Sequence, residues 1–236
     1  MAVKGELLYE GKAKKIYRTE DPELFWMEFK DEATAFDGTK KAVIAGKGYY
    51  NAQISAFFFR LLRENGLPSH FVEMVGEREM LVRAGEIIPV EVIVRNLAAG
   101  SLSQRLGVPE GTELSRPVLE FCYKSDPLHD PQVNEYHILA FGWATEEEVA
   151  DMKEQALEVN RVLSAFLREV EILLVDFKLE FARHRGGVLL ADEISPDTCR
   201  FWDARTRDRL DKDRFRRDLG DLVEGYAEVW RRLQRQ

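Results

Sequence analysis

A chain of 236 residues with 45% hydrophobic composition is long enough for one large domain or for two lobes around a shared core. Its net charge of −8 excludes a duplex-DNA binder, whose affinity would come from neutralised phosphates, and local basic clusters are left to hold small anions. No stretch reaches the ~20 apolar residues of a membrane helix, and the N-terminal MAVKGELLYEGKAKK is interrupted by charges every few residues, so a cytoplasmic protein with no nucleic-acid or membrane partner is expected.

Residues 6–19 (ELLYEGKAKKIYRT) and 24–38 (LFWMEFKDEATAFDG) read as β segments of a small antiparallel lobe. Between the first two strands, Gly11 followed by Lys12, Lys14 and Lys15 lets backbone approach a polyphosphate while ammonium groups neutralise it. The loop has neither the Walker A nor the G-x-G-x-x-G spacing, and alone it reads more readily as a turn with a solvated lysine patch.

Residues 46–65 place Tyr50, Ile54, Phe57, Phe58, Leu61 and Leu62 at helical spacing, with Gly66 and Pro68 as stop signals. The phenylalanine run suits the core, and ISAFFFRLL suits a subunit interface as well, so a homo-oligomer is expected. Residues 80–97 return to strand and join the lobes, setting expected boundaries of 1–86 and 87–236. The strand delivers Arg95; Ala98, Ala99 and Gly100 then allow close packing before Ser101, which is expected to cap the helix LSQRLG. An arginine near a hydroxyl at a helix start suits a phosphate monoester, although a plain cap and a structural ion pair explain the same residues.

Residues 145–170 open on a capping-box pattern, Thr145 to Glu148, and carry Val149, Met152, Ala156, Leu163, Phe166 and Leu167 on one face of a long helix. LLVDFKLEF, residues 173–181, alternates strictly. Val175, Phe177, Leu179 and Phe181 line one face of a strand, and Asp176, Lys178 and Glu180 the other. Gly186 and Gly187 mark a hairpin to VLLADEI. A three-residue loop, Arg185 to Gly187, makes Glu180 face Asp192, whereas a one-residue shift substitutes Glu193. Facing carboxylates need a cation between them, and hard oxygen ligands with room for phosphate suit Mg²⁺; an exposed hairpin with scattered charges is the alternative. Residues 211–236 repeat the amphipathic pattern through Phe215, Leu219, Leu222, Val223, Tyr226 and Trp230 as a long terminal helix.

Cys122 and Cys199, far apart in sequence, predict buried or semi-buried thiols and no disulfide framework. His70, His129, His137 and His184 lack metal-ligand spacing, so no structural zinc site is expected.

IIPVEVIVRNLAAGS and LLVDFKLEF resemble the two signature segments of the SAICAR synthetase family (phosphoribosylaminoimidazole-succinocarboxamide synthases). LLYEGKAKKIY, TAFDG, HDPQVNE, DEISPDTCRFWD and DKDRFRRDLG resemble further family segments in the expected order, nearly end to end and at the length of the short bacterial form. The family commonly has Gly after the Glu-Phe of the second signature, where this chain has Ala182, which puts local backbone geometry in question.

The resemblance implies an α+β, two-lobed, ATP-grasp-like fold with an N-terminal antiparallel β lobe, a larger α/β lobe and a long final helix. It implies a ligase that joins the carboxylate of carboxyaminoimidazole ribonucleotide to the amine of L-aspartate, with ATP giving ADP and phosphate, and with Mg²⁺ as cofactor. Lys12, Lys14 and Lys124 are expected at the nucleotide phosphates, with the backbone near Ile87 at adenine. Glu180 and Asp192 are expected to hold the metal, with Asp130 a further metal or substrate contact. Arg95, Ser101 and Arg200 are expected to receive the ribonucleotide, oriented by Asp176 and Asp197, with Lys178 at its reacting end. A small-molecule kinase of the same layout explains the lysines and carboxylates as well, and a catalytically silent nucleotide-binding module is a third reading, against which the arginines weigh.

Overall fold

A computed structural model describes residues 2–35 and 39–235. Phe36, Asp37 and Gly38 of the TAFDG segment lie outside the described residues. Strands β1 (Leu7–Glu10), β2 (Lys14–Arg18) and β3 (Leu24–Phe29) come first, then a separate hairpin of β4 (Glu32–Ala35) and β5 (Lys40–Val43). Helix α1 (Lys47–Glu64) follows, and its apolar spacing buries Ile54, Phe58, Phe59 and Leu62 before Gly66 ends it with φ 81°. β6 (Phe71–Gly76) and β7 (Glu79–Arg83) return to the first three strands, giving an antiparallel sheet in the order β1-β2-β3-β7-β6.

A second antiparallel sheet starts at β8 (Glu86–Leu97), which leads into α2 (Gly100–Leu106) and β9 (Glu113–Tyr123). β10 (Gln132–Val133), α3 (Glu135–Ala140) and α4 (Glu146–Glu169) precede the long strand β11 (Ile172–His184). β12 (Gly187–Ala191) and β13 (Cys199–Asp203) both pair with the same edge of β11, at its C-terminal and N-terminal halves respectively. The sheet order is β10-β9-β8-β11-β12, with β13 beside β12 on that shared edge. The segment from Asp192 to Thr198 fills the gap between the two strands, and the Lys178 amide donates to the Thr198 carbonyl at 2.9 Å.

The first sheet closes with β7 and the second opens with β8 at Glu86, but a single core spans both. One apolar cluster runs from Met27, Phe29 and Met80 in the first sheet to Val92, Phe177 and Phe201 in the second. Helix α1 joins them: Phe57 lies 5.3 Å from Phe166 of α4, and Phe58 lies 6.0 Å from Phe201. The aromatic run is therefore core. The Thr145–Glu148 capping box forms as expected, with the Thr145 hydroxyl accepting from the Glu148 amide at 3.2 Å and the Glu148 carboxylate accepting from the Thr145 amide at 2.9 Å.

Two expectations fail locally. The terminal helix is broken into α5 (Asp213–Arg216) and α6 (Leu222–Leu233), because Asp218 and Gly220 adopt φ of 53° and 114° and Asp221 starts a new helix by accepting from the Val223 amide at 2.8 Å. Strand β9 has no counterpart in the sequence reading. Pro117 interrupts its pattern, and it falls between the paired residues Glu113 and Val118, where the ladder with β8 shifts register. Cys122 and Cys199 are free thiols, half-buried and buried. Among the described residues no helix is long and apolar enough to cross a membrane.

Ala182 is buried and packs on Gly85, where an added Cβ would stand 2.9 Å from the Ala182 Cβ and 3.0 Å from the Arg183 carbonyl oxygen. The missing side chain at residue 85 makes room for the extra methyl at 182. Gly85→Ala is expected to destabilise the protein by about 1–3 kcal/mol through overpacking. In an Ala182→Gly background the loss should shrink by about 0.5 kcal/mol or more. Urea unfolding of the four proteins in this cycle checks the pairing, and strict additivity would refute it.

Candidate active site

A cleft of about 1100 Å³ opens between the two sheets. Its apolar end is formed by Leu8, Ile16, Phe25, Met27, Val82 and Ile87. Its charged end comes from the pairing of β8 with β11, which sets Asp176 opposite Arg95, Lys178 opposite Ile93 and Glu180 opposite Glu91. Paired residues share a face, so these side chains point into the cleft while Val92, Val94, Phe177 and Leu179 enter the core.

The hairpin register differs from the expected one. Arg185 and Gly186, with φ of 50° and 82°, form a two-residue loop, so Glu180 pairs with Ala191 and not with Asp192. Asp192 still reaches the site, because the chain leaves β12 there in a left-handed conformation, φ 61°. The Lys178 ammonium donates to Glu180 at 2.6 Å and to Glu91 at 2.9 Å, and lies 3.7 Å from Asp192. Lys124 closes on Glu180 and Lys14 on Asp192, with Lys14 also 3.5 Å from Glu193.

Burial opposes ionisation of both carboxylates, yet Lys178 and Lys124 hold Glu180 below its ordinary value, and Lys14 and Lys178 hold Asp192 far below it. Burial lifts Glu91 and Glu193 the other way. Among the described residues no three His, Cys, Asp or Glu side chains form a ready-made metal cage. The donor set fits Mg²⁺ held by one or two carboxylates, with phosphate oxygens and water completing the shell.

The arginine cluster beside it is a chain of shared charges. Arg95 donates to Glu120 and Asp176, both at 2.8 Å, and to the Ser101 hydroxyl at 3.0 Å. Arg200 donates to both Asp176 oxygens at 2.9 and 3.0 Å, so one carboxylate orients both guanidinium groups, as expected. Gly100 is required here, since an added Cβ would lie 2.5 Å from the Arg200 Nη2. Ser101 does not cap α2: the helix starts at Gly100 after Ala99, without a side-chain cap, and the Ser101 hydroxyl accepts from Arg95.

Asp197 does not reach the arginines. It lies 2.6 Å from Lys47 and 3.7 Å from Lys212, and accepts from the Tyr226 hydroxyl at 2.5 Å. Asp130 lines the cleft, but one of its oxygens accepts from the Ser125 amide at 2.8 Å and fixes the turn after Lys124. Lys12 pairs with Asp126 at 2.6 Å, and Ile87 stands 43% exposed at the cleft between the sheets.

Sequence reading missed Glu91, Lys212 and Arg216, all of which line the cleft, and the wholly buried Lys47 behind it, while Glu193, offered there as the alternative to Asp192, lines the cleft beside it. Alternation along β8 would have revealed Glu91, two and four residues from Ile93 and Arg95. Lys47 carries no local signal, because its partner lies across the fold. His70, also in the cleft wall, is buried edge-on against Phe59, and burial pushes its pKa down to about 4.

The unfolded chain, with an ordinary histidine pKa of ~6.5, binds that proton first, so stability is full above pH ~6.5 and falls as pH drops toward ~4, by a few kcal/mol. His70→Asn should flatten this part of the stability profile, as read from denaturant midpoints between pH 4 and 7. An unchanged slope would show that His70 is not the group responsible.

A sequence profile of the SAICAR synthetase family matches residues 7–233. The phosphoribosylaminoimidazole-succinocarboxamide synthase of Coprothermobacter proteolyticus is 60% identical over 229 residues, which cover 97% of this chain and 97% of that protein. The crystal structure of the Ehrlichia chaffeensis enzyme of that name superposes with a TM-score of 0.95 at 48% identity, covering 97% of this chain and 98% of the other. A type-2 SAICAR synthetase in complex with ADP gives a TM-score of 0.94 at 51% identity, covering 98% of each chain. The α+β architecture is the ATP-grasp-like one of these neighbours. Matched almost end to end in sequence and in fold, the chain belongs to the SAICAR synthetase family.

Proposed function

We propose that this chain condenses carboxyaminoimidazole ribonucleotide with L-aspartate, using ATP and releasing SAICAR, ADP and phosphate, and that it does so through an acyl phosphate. Membership of the family, with the ADP bound in a close relative, supports the reaction. The observation that carries the mechanism is the run of charge along one face of β11, from the Asp176 arginine pocket to Lys178 and Glu180, continued by Asp192 at the end of β12.

ATP lies with adenine at the apolar end beside the Ile87 backbone and its phosphates toward Lys12, Lys14 and Lys124. Residues 1–86 supply most of this nucleotide lobe and residues 87–236 the rest of the site. Glu180 and Asp192 would hold Mg²⁺, with Asp130 as a further contact, and the ion would neutralise phosphate charge. The ribonucleotide phosphate sits on Arg95, Ser101 and Arg200, which turns the reacting carboxylate toward Lys178.

A carboxylate is a poor electrophile. Its oxygen attacks the γ-phosphorus, the bond to the β-phosphate oxygen breaks, and ADP leaves. The neutral aspartate amine then attacks the acyl carbon, a C–N bond forms, the acyl C–O bond breaks with its electron pair leaving on inorganic phosphate, and the proton lost from nitrogen passes to the departing phosphate. Positioning and charge neutralisation by the lysines drive the first step, and Lys178 offsets charge that develops in the second. A cytoplasmic location and a homo-oligomeric assembly belong to the same reading.

ADP release by the wild type should require both the ribonucleotide and L-aspartate, and full rate without aspartate would favour a kinase. Asp192→Asn keeps the shape and loses the charge, so turnover should fall by orders of magnitude with circular dichroism unchanged; undiminished turnover at saturating Mg²⁺ removes Asp192 from the site. Arg200→Lys loses the planar fork, and a hydrogen bond to a charged group contributes about 1.5–3 kcal/mol. The KM for the ribonucleotide should rise about ten-fold or more with that for ATP nearly unchanged; the reverse pattern would move Arg200 to the nucleotide.

A further inference from the structure

Behind the cleft wall the fold buries polar groups that the roles above do not use. Among the described residues, ten buried side-chain nitrogen and oxygen atoms have no hydrogen-bond partner, and five of them belong to Lys47, Asn51, Glu193 and Asp197. Asn51 is wholly buried with both its amide oxygen and its amide nitrogen unmatched. Glu193 is also buried, with one oxygen 3.5 Å from Lys14 and the other without a donor. Lys47 meets Asp197 at 2.6 Å as an ion pair, but out of line for a hydrogen bond.

Helix geometry gathers these atoms. Lys47, Asn51, Ser55 and Phe59 recur every four residues and share one stripe of α1. The segment that leaves β12 runs along this stripe in the opposite direction. Phe59 packs edge-on against His70, whose amide donates to the Leu190 carbonyl at 2.8 Å; the Ser55 hydroxyl accepts from the Ile194 amide at 3.0 Å; Lys47 reaches Asp197. Asn51 stands between Ser55 and Lys47, so it faces the stretch between Ile194 and Asp197. Glu193 is near enough to feel the charges of both Asp197 and Lys47.

An unmatched buried polar group forfeits its full desolvation energy, and one layer holding several of them calls for a partner. That partner must donate to Glu193 and to the Asn51 oxygen, and accept from Lys47 and from the Asn51 nitrogen. A metal cation has nothing to offer Lys47, and a small anion has no proton for Glu193. Charge points the same way. Asp192, Glu193 and Asp197 already face three ammonium groups, Lys14, Lys47 and Lys212, with Lys178 matched by Glu180 and Glu91. A neutral molecule that both donates and accepts is required, and water is the smallest.

We infer that Lys47, Asn51, Glu193 and Asp197 enclose a buried site for ordered water that ties α1 to the span from Asp192 to Thr198, with Asn51 as its positioning residue. β12 and β13 hold the two ends of that span, and the hydrated layer supports its middle from behind. Asn51 touches no substrate; it acts through Glu193 and Asp197 on the placement of Asp192. This consequence for catalysis rests on the ligase reading above, whereas the water site itself does not.

A crystal structure of the full-length wild type, at a resolution that shows ordered water, should place a water within hydrogen-bond distance of Asn51 and of Glu193 or Asp197. A dry layer, with these side chains paired directly, would overturn the site. Two variants test it in solution. Asn51→Leu keeps nearly the same volume and removes both polar groups, whereas Asn51→Ser is smaller, keeps a donor and an acceptor, and admits a further water. A hydrated layer makes serine the milder change, and a packing role makes leucine the milder one. Turnover in ADP formation should fall about ten-fold or more in Asn51→Leu, with the KM for the ribonucleotide within about three-fold, and Asn51→Ser should recover most of that loss. Urea unfolding midpoints should follow the same order. Leucine equal to or better than serine in the urea midpoint would overturn the site whatever the reaction proves to be. ADP formation by wild type without L-aspartate would count against the ligase reading instead, and the midpoints and the crystal structure would still decide the water site.

Discussion

Two carboxylates on one face of β11 are taken out of water, with a half-buried lysine between them. Asp176 and Glu180 are each 3% exposed, and Lys178 lies between them on the same face. An isolated buried carboxylate costs several kcal/mol of desolvation, so the strand is tolerable only where neighbouring elements deliver counter-charges. The surrounding architecture supplies them: β8 brings Arg95 and Glu91, β13 brings Arg200, the turn after β9 brings Lys124, and β2 brings Lys14 from the other sheet.

These pairs are arranged before any substrate arrives. A site whose cations already occupy fixed positions spends little on reorganisation when a phosphate or carboxylate enters and the partners are exchanged. The same arrangement makes single charges hard to lose, since removing one partner strands the other in a low-dielectric wall. Asp176 illustrates both points. Holding two guanidinium groups at 2.8–3.0 Å, it fixes their forks relative to each other and keeps their mutual repulsion from splaying the pocket.

What was legible in the sequence is what depends on short-range periodicity. The alternation of LLVDFKLEF, the apolar stripe of α1 and the Thr145–Glu148 box each became the expected element. The hairpin was legible as a hairpin but not in register, because Arg185 took a left-handed conformation that the glycines beside it made unnecessary to expect. The Ser101 cap failed for a similar reason: its hydroxyl had a stronger donor in Arg95 than in the helix backbone. Lys47 was invisible, because a lysine in the first turn of a helix reads as solvated unless a carboxylate far away in sequence is known to cover it. The family resemblance located part of the charged lining of the cleft, without Glu91, Lys212 and Arg216, and the fold supplied the pairings.

The shared edge of β11 has a bearing on how the chain can change over evolutionary time. Because β12 and β13 grip the same strand at its two halves, the seven residues from Asp192 to Thr198 are tethered at both ends by separate hydrogen-bond ladders. Their length is therefore a fixed dimension of the site. One residue more or fewer would either displace Asp192, Glu193 and Asp197 together or slip a ladder, and a one-residue slip turns every side chain of that strand to the wrong face. The hairpin tip at Arg185 and Gly186 carries no such constraint, and chain length is free to drift there while the span a few residues later stays constant.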